Sequence, residues 1–511
     1  MEELKIIHIS PVSATFELVN DFIYKNESEY EISVNGTAVR KDGRNVFSVF
    51  DLKPDTDYEV CVKGLSAKFH TLKVNKVINV LDEGVVGEGT TMNTEAIQKI
   101  LDSCDNDLVV FPEGTYLTSA LNFRSNTYVY LKKGAEILGS IERYDYPIVK
   151  GIRVEDGVEY VDASWEGEPQ DCFMSLISSY DSENIMIVGE GAINGNADKA
   201  DWWVDCLTKR GAWRGNNIFT NRCKNVDFVG LNVKNSPSWN IHPFYSENVR
   251  FIDLLVENDP HSPNTDGIDP ESCDVVDIIG VKICVGDDCI AIKSGVYVMS
   301  QTHYKPCEHL TIRNCYMGAG HGGVVFGSES SCGIKHVDVK NCIFDETDRG
   351  LRIKTRRDRG NKAEIEDINF DNILMNGVKN ALTVNMSYYL KRWDPTDIIF
   401  SKDYVEVTEL TPHIKNFHFK NLECKNIKIC AGFFYGLPER KIDEIVLENI
   451  HVTYDSSYTK EEGPIMIYQC PQVNNGGFYF YNVENVIVKN VDIDGQKGEA
   501  YNLEGVDNFS N

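Results

Sequence analysis

From about residue 184 onward the chain repeats one short pattern: apolar, any, apolar, any, Asn/Gly/Asp, apolar, any, apolar. It stands as Val226-Asp-Phe-Val-Gly-Leu-Asn-Val233, Val249-Arg-Phe-Ile-Asp-Leu-Leu-Val256, Val276-Asp-Ile-Ile-Gly-Val-Lys-Ile283 and Leu310-Thr-Ile-Arg-Asn-Cys-Tyr-Met317, and recurs in copies beginning at Val337, Ile368, Phe417, Ile445 and Val486. Alternation with a period of two predicts short strands with one face inward. The central Asn, Gly or Asp turns the chain between two strands, and Asn side chains stacked in successive copies can hydrogen-bond as a ladder. The copies begin between 23 and 49 residues apart, an irregular period around a fixed motif, which predicts a parallel β-helix with variable loops. No long helix interrupts these strands, which argues against a barrel of βαβ units. Cys315 and Cys342 hold the same repeat position and read as a core stack of small soft side chains.

The pattern changes towards the N-terminus. Residues 1–74 alternate apolar and polar residues in short runs, with Val34-Asn35-Gly36-Thr37 as a type I′ hairpin signal. They predict a small antiparallel β-sandwich with a spacer or packing role. The stretch Phe50 to Val60, with Leu52 and Tyr58, resembles the corner of a fibronectin type III module. Residues 75–511 form the predicted β-helix domain. At its start, Ala96, Ile97, Ile100, Leu101 and Cys104 share one helical face, with Asn93 or Thr94 as N-cap. A short helix here would plug the open end of the solenoid. The fold class expected is all-β.

Charge and cysteines narrow the function. A formal net charge of −27 over 511 residues excludes a general nucleic-acid binder. No apolar run is long enough to span a membrane. The opening MEELKIIHIS lacks the basic and apolar regions of an export signal, and fifteen cysteines without a CxxC spacing fit reduced thiols. A cytoplasmic protein is expected; a secreted chain trimmed of its signal would read the same way. Oligomeric state is not legible.

The candidate chemistry sits on polar residues spaced along successive repeats. Asn240, Asp266, Asp287, His321, Arg352, Lys354 and Tyr388 fall 11 to 20 residues after the first position of their copies, which places them in a similar sector of consecutive rungs. Rungs stack about 4.8 Å apart, so carboxylates one rung apart span the reach needed to hold a glycosidic bond and a water. Asp266, Asp287 and Asp288 repel one another as anions, so at least one proton should be retained, and its holder becomes an acid. Asp287 and Asp288 are placed at the turn after Gly286, where the pleat is broken. An isolated Asp-Asp pair reads as a solvated turn, and a lone His between glycines as a tolerated loop residue; their joint occurrence, one station per rung, favours a site. Six bases between Arg349 and Arg359, against Asp348 and Asp358, predict a patch that binds carboxylates. Arg356 to Arg359 fit an exposed loop as well, whereas Arg352 and Lys354 alternate around Ile353 as strand residues do.

Four motifs in order, Asn264-Thr265-Asp266, Gly286-Asp287-Asp288, Gly320-His321-Gly322 and Arg352-Ile353-Lys354, resemble the polygalacturonase family of glycoside hydrolases, over roughly residues 75 to 500. Arg214-Gly215 stands where many members have Arg-Pro. The resemblance implies a right-handed parallel β-helix and hydrolysis of α-1,4-galacturonosyl linkages with inversion. It implies Asp287 as general acid, Asp266 and Asp288 as activators of water, and His321 as support for the acid. Arg352 and Lys354 would bind a galacturonate carboxylate, and Tyr388 would stack on or hydrogen-bond the sugar. Asn240, Lys293 and Glu329 complete the expected substrate-binding set. No cofactor and no metal are expected; the partner is an oligogalacturonide or pectic polysaccharide. Gly327-Ser328-Glu329 resembles the exo-acting branch. Cleavage from a chain end also fits the long segments Tyr144 to Cys172, Val296 to Pro306 and Gly377 to Thr411, which could shut part of a groove. The rival readings are a pectate lyase with Ca²⁺, a rhamnogalacturonan hydrolase and a non-catalytic β-helical carbohydrate-binding protein.

Overall fold

The computed structural model describes residues 2–511. Strands Glu3–Ile9, Ala14–Val19 and Val46–Val49 form a three-stranded antiparallel sheet, and Lys25–Val34, Thr37–Arg44, Asp57–Val62 and Leu65–His70 form a four-stranded one. Phe16, Phe47, Ile32, Val60 and Phe69 make up much of their common core. The hairpin forms as its sequence demands: Val34 pairs with Thr37, and Asn35 and Gly36 both take positive φ, 49° and 78°. At the corner singled out above, Leu52 is buried and the Tyr58 hydroxyl accepts the Lys53 N–H at 2.9 Å.

From Val77 the strands pair in parallel and wind into a right-handed β-helix. The first positions of the repeat, Val226, Val249, Val276, Leu310, Val337, Ile368, Phe417, Ile445 and Val486, are register partners along one ladder. Positions one, three, six and eight point inward; Val226, Phe228, Leu231 and Val233 are at most 1 % exposed, and full burial of such a side chain contributes about 1.5–3 kcal/mol. The central position takes the left-handed conformation in every copy, with Gly230, Asp253 and Gly280 in the early ones and Asn314, Asn341, Asn372, Asn421, Asn449 and Asn490 in the later ones. The predicted Asn ladder is real but interrupted. Asn372 donates to Asn341 at 2.8 Å, Asn449 to Asn421 at 3.0 Å and Asn490 to Asn449 at 2.9 Å, whereas Asn421 turns to Asp371.

The capping helix runs Thr94–Asp102 and buries Ile97, Ile100 and Leu101 in the β-helix core. Asn93 sits at its N-cap position but does not cap it. Its carboxamide donates to the Val86 and Thr91 carbonyls, each at 2.9 Å, and so ties the preceding loop. All fifteen cysteines are unpaired, and Cys315 and Cys342 lie in the core. No helix among the described residues is long and apolar enough to cross a membrane.

The antiparallel module lies on the outer face of the early rungs. Val12 and Val46 join Val188, Val229, Ile252 and Ile279 in a shared apolar cluster. Polar contacts extend it: His8 to Asp227 at 3.3 Å, Arg44 to Asp253, Glu17 to Arg313 at 3.0 Å, and Asn45 to Asn314 at 3.1 Å. The third strand of each rung faces elsewhere, and there the site is built.

Candidate active site

Strands Asp288–Ile292, Gly322–Gly327, Arg349–Lys354 and Asn380–Asn385 lie side by side in one parallel sheet, with Asp288 opposite Gly322 and Val325 opposite Arg352. Ile290, Ile292, Phe326 and Ile353 turn into the core, leaving Asp288, Lys293, Arg352 and Lys354 to line the cleft. As predicted, Asp287 sits in the bend after Gly286; Asp288, expected in the same turn, already opens the strand. A Cβ on Gly286 would meet the Ser262 carbonyl at 2.3 Å; only glycine lets the loop carrying Asp266 press this closely on the Asp pair. A Cβ on Gly322 would stand 3.3 Å from Asp288 Oδ1 and 3.6 Å from Arg352 Cβ. The missing side chain leaves the lane through which Asp288 reaches across the Gly322 strand to the bases on the strand beyond it.

Asp266, Asp287 and Asp288 each present an oxygen within 4.8 Å of the other two. Their surroundings differ. Asp288, 1 % exposed, receives Lys354 Nζ at 2.7 Å and Arg352 Nη1 at 3.2 Å. Burial opposes its charge, but the two cations prevail and hold its pKa well below the ordinary carboxylate range. Asp266, 4 % exposed, is pushed well above that range by burial and by the neighbouring Asp287 and Asp269, with Lys293 opposing. Asp287 is the most open of the three. Its Oδ1 accepts the Asp288 N–H at 3.0 Å and lies 3.0 Å from His321 Nδ1. The hydrogen bond to Asp287 raises the His321 pKa, against the effect of burial.

The remaining expected residues divide. Lys293 is 3 % exposed and stands among three carboxylates, 3.9 Å from Asp266, 3.4 Å from Asp269 and 3.6 Å from Glu329, under the ring of Trp239 at 4.5 Å. Glu329 is buried, yet Lys293, Arg359 and the Ser328 hydroxyl lower its pKa to about 2. Tyr388 lines the cleft with its edge against Trp393. Asn240 does not reach the cleft: it is 0 % exposed, and its Nδ2 donates to the Asp266 carbonyl at 2.9 Å. The expected contact with substrate gives way to a prop under the Asp266 backbone, because counting along a repeat does not report which side of the chain a residue faces. The basic run also needs correction. Arg357 turns away to pair with Glu439 at 2.6 Å, while Arg356 and Arg359 join the cleft wall in place of an exposed loop.

Sequence reasoning missed Asp269. It is 0 % exposed, neither carboxylate oxygen has a hydrogen-bond partner, and its pKa is pushed well above the usual range by burial. Its signal was present, an acid three residues after Asp266, just beyond the Asn264-Thr265-Asp266 motif. The three long segments each reach the cleft, through Glu166 and Glu168, through Val296, and through Tyr388, Leu390, Arg392 and Trp393. Leu207 and Met466 come from two further loops that were not foreseen. Together they enclose about 590 Å³.

Residues 149–461 match Glycosyl hydrolases family 28. The chain belongs to this family. Residues 77–130 match a second family, Rhamnogalacturonase A/epimerase, pectate lyase-like. Among curated relatives, a "Probable polygalacturonase" of Vitis vinifera is 26% identical over 397 residues, 73% of this chain and 74% of that protein. The "Exo-poly-alpha-D-galacturonosidase" of Dickeya chrysanthemi is 27% identical over 66% of this chain and 63% of its own length. Among solved structures, the family 28 exopolygalacturonase of Yersinia enterocolitica shares the fold, with a TM-score of 0.72 at 19% identity, covering 99% of this chain and 98% of that one. The exopolygalacturonase of Thermotoga maritima shares it at 0.65 and 24%, covering 83% and 93%.

This family 28 chain is thus a glycoside hydrolase, and its cleft holds parts for that chemistry. Asp288, held ionised by its two cations, stands beside Asp266, whose pKa burial and like charges raise, with the more open Asp287 between them and solvent. Groups coupled this closely titrate as a set, so the retained proton belongs to the trio.

Proposed function

We propose that the protein hydrolyses α-1,4-galacturonosyl linkages of pectic oligomers with inversion, releasing product from a chain end. The observation that carries this reading is the carboxylate trio beside a wall of cations, Arg349, Arg352, Lys354, Arg356 and Arg359, inside one cleft. Hydrolysis needs a proton for the leaving oxygen and an ionised group to activate water; a polyuronide substrate needs the cations. Asp287, the carboxylate most open to substrate, serves as general acid. Asp288 and Asp266 hold and activate water, and His321 orients Asp287. In the free enzyme Arg352 and Lys354 keep Asp288 ionised; their outer faces meet a galacturonate carboxylate. The polygalacturonases and exopolygalacturonases among its relatives support the substrate class, and the loops converging on the cleft from five segments support exo action.

Residues 1–74 are read as a fibronectin type III-like packing module and residues 75–511 as the catalytic domain. Fifteen unpaired cysteines support a reducing, cytoplasmic location. The test uses long polygalacturonate with product analysis. Reducing ends should accumulate while viscosity falls slowly, the new anomeric centre should be β by NMR, and activity should survive EDTA. A rapid early loss of viscosity would make the enzyme endo-acting. Ultraviolet-absorbing unsaturated products restored by Ca²⁺ would make it a lyase, and cleavage confined to rhamnogalacturonan would move the substrate.

A further inference from the structure

Beside the catalytic cleft lies a second cavity of about 320 Å³ that shares Glu166, Glu168, Leu207 and Arg392 with it. Its chemistry differs. Trp165 and Trp213 line it, stacked with ring centroids 4.8 Å apart and planes within 4°. The Arg214 guanidinium, 5.2 Å over Trp165, steadies that stack and itself donates to the Pro237 and Pro263 carbonyls and to Asn264. Glu166 and Glu168 supply hydroxyl acceptors, and Gln170, whose Oε1 accepts from Lys209 at 3.2 Å, supplies amide donors. Arg392 is the one cation in this lining, whereas the catalytic cleft has seven, Lys293, Arg349, Arg352, Lys354, Arg356, Arg359 and Arg392.

We propose that this side cavity binds a neutral sugar carried as a branch on a galacturonate residue seated in the cleft. Indole surfaces take the apolar face of a pyranose ring, and carboxylates take its hydroxyls. A uronate would bring its own carboxylate against Glu166 and Glu168 with Arg392 as the one cation in the lining, Arg214 and Lys209 being engaged behind it, so the cavity selects against the acidic backbone that the cleft selects for. The volume sits at the lower end of the roughly 300–1,000 Å³ of small-ligand sites, sufficient for one ring. The four shared residues mark the opening through which a glycosidic branch would pass. This inference rests on the proposed galacturonosyl reading of the cleft.

The experiment compares oligogalacturonides of equal backbone length, with and without one xylosyl branch, on the full chain. Wild type should process both. Trp213→Ala, and Cys206→Phe, which fills the cavity from a half-buried position without disturbing the stack, should each lower kcat/KM for the branched substrate about tenfold, the effect of losing one aromatic contact, and leave the unbranched one within about twofold. Equal losses on both substrates, or a wild type that degrades only unbranched chains, would overturn the proposal. A parallel titration of free xylose, followed by tryptophan fluorescence, is independent of activity: a saturable change is expected in wild type and its loss in Cys206→Phe. If neither substrate is cleaved, the galacturonosyl reading of the cleft fails and this titration alone decides. A saturable change sustains the neutral-sugar cavity; a flat titration ends it.

Discussion

Three carboxylates, Asp266, Asp269 and Glu329, crowd the ammonium of Lys293, so the cluster is short of positive charge. Asp269 makes this plainest, since neither of its oxygens has a hydrogen-bond partner. Its folded pKa is raised, so its contribution to stability is greatest below the unfolded value of about 4 and is lost as pH rises through the folded value. Asp269→Asn should therefore raise stability at neutral pH, by about 1.4 kcal/mol for each unit by which the folded pKa exceeds the unfolded one, and change it little at pH 4. Lys293 keeps two partners, so no uncompensated charge is created. Thermal denaturation at the two pH values checks this. The same substitution removes a charge that raises the Asp266 pKa, so the ionisation governing kcat/KM should move to lower pH. At Arg352 the shift has the opposite sign. Arg352→Ala removes a cation holding Asp288 ionised, so the acid limb of kcat/KM should move up as KM rises; a rise in KM with an unmoved pH profile would limit Arg352 to binding substrate. Asp287→Asn should lower kcat by about 10²- to 10⁴-fold or more while substrate affinity persists, as turnover and binding assays would show.

At the scale of the element, the central turn of each copy couples a left-handed residue to a ladder. Asn449 sits at φ 53° and bonds to Asn421 and Asn490. Asn449→Ala should cost about 1–3 kcal/mol, from the conformation and the lost bonds, and Asn449→Gly less, because glycine keeps the turn; urea denaturation of the pair checks the order. Strand register was legible because a period of two with fixed inward positions admits one alignment. The four motifs likewise placed Asp266, Asp287, Asp288 and His321 together. Asn240 was misplaced and Asp269 overlooked because spacing along a repeat carries no account of what lies beneath a strand. The loops bearing Leu207 and Met466 were illegible for another reason: they have no periodicity, and the packing that brings them to the cleft is tertiary. One readable signal went unused. The fourth position of the repeat is apolar at Val229, Ile252 and Ile279 and charged at Arg313, Lys340, Asp371, Lys420, Glu448 and Lys489. That switch marks where the module's contacts with the outer face turn from apolar to polar, Arg313 pairing with Glu17.

For the whole molecule, that covered face separates architecture from catalysis: none of the module's described residues lines the cleft. Removing residues 1–74 would bare Val188, Val229, Ile252 and Ile279 to water and orphan Asp253 and Arg313, so the shortened chain should aggregate or lose stability while the cleft's own side chains are unchanged; light scattering and residual kcat measure the two effects. The module's contacts with Asp227, Asp253, Gly280, Arg313 and Asn314 fall on four successive copies of the repeat. A solenoid held by neighbour contacts alone unravels from its ends. Here the coils from Leu108 to Asn314 are splinted along their length, and the coils after His413 are not. Hydrogen exchange should therefore be slowest across the splinted coils and fastest towards the C-terminus. Under a pulling force the chain should unspool coil by coil from its free end and then stall, as a spring does where it is soldered to a bar.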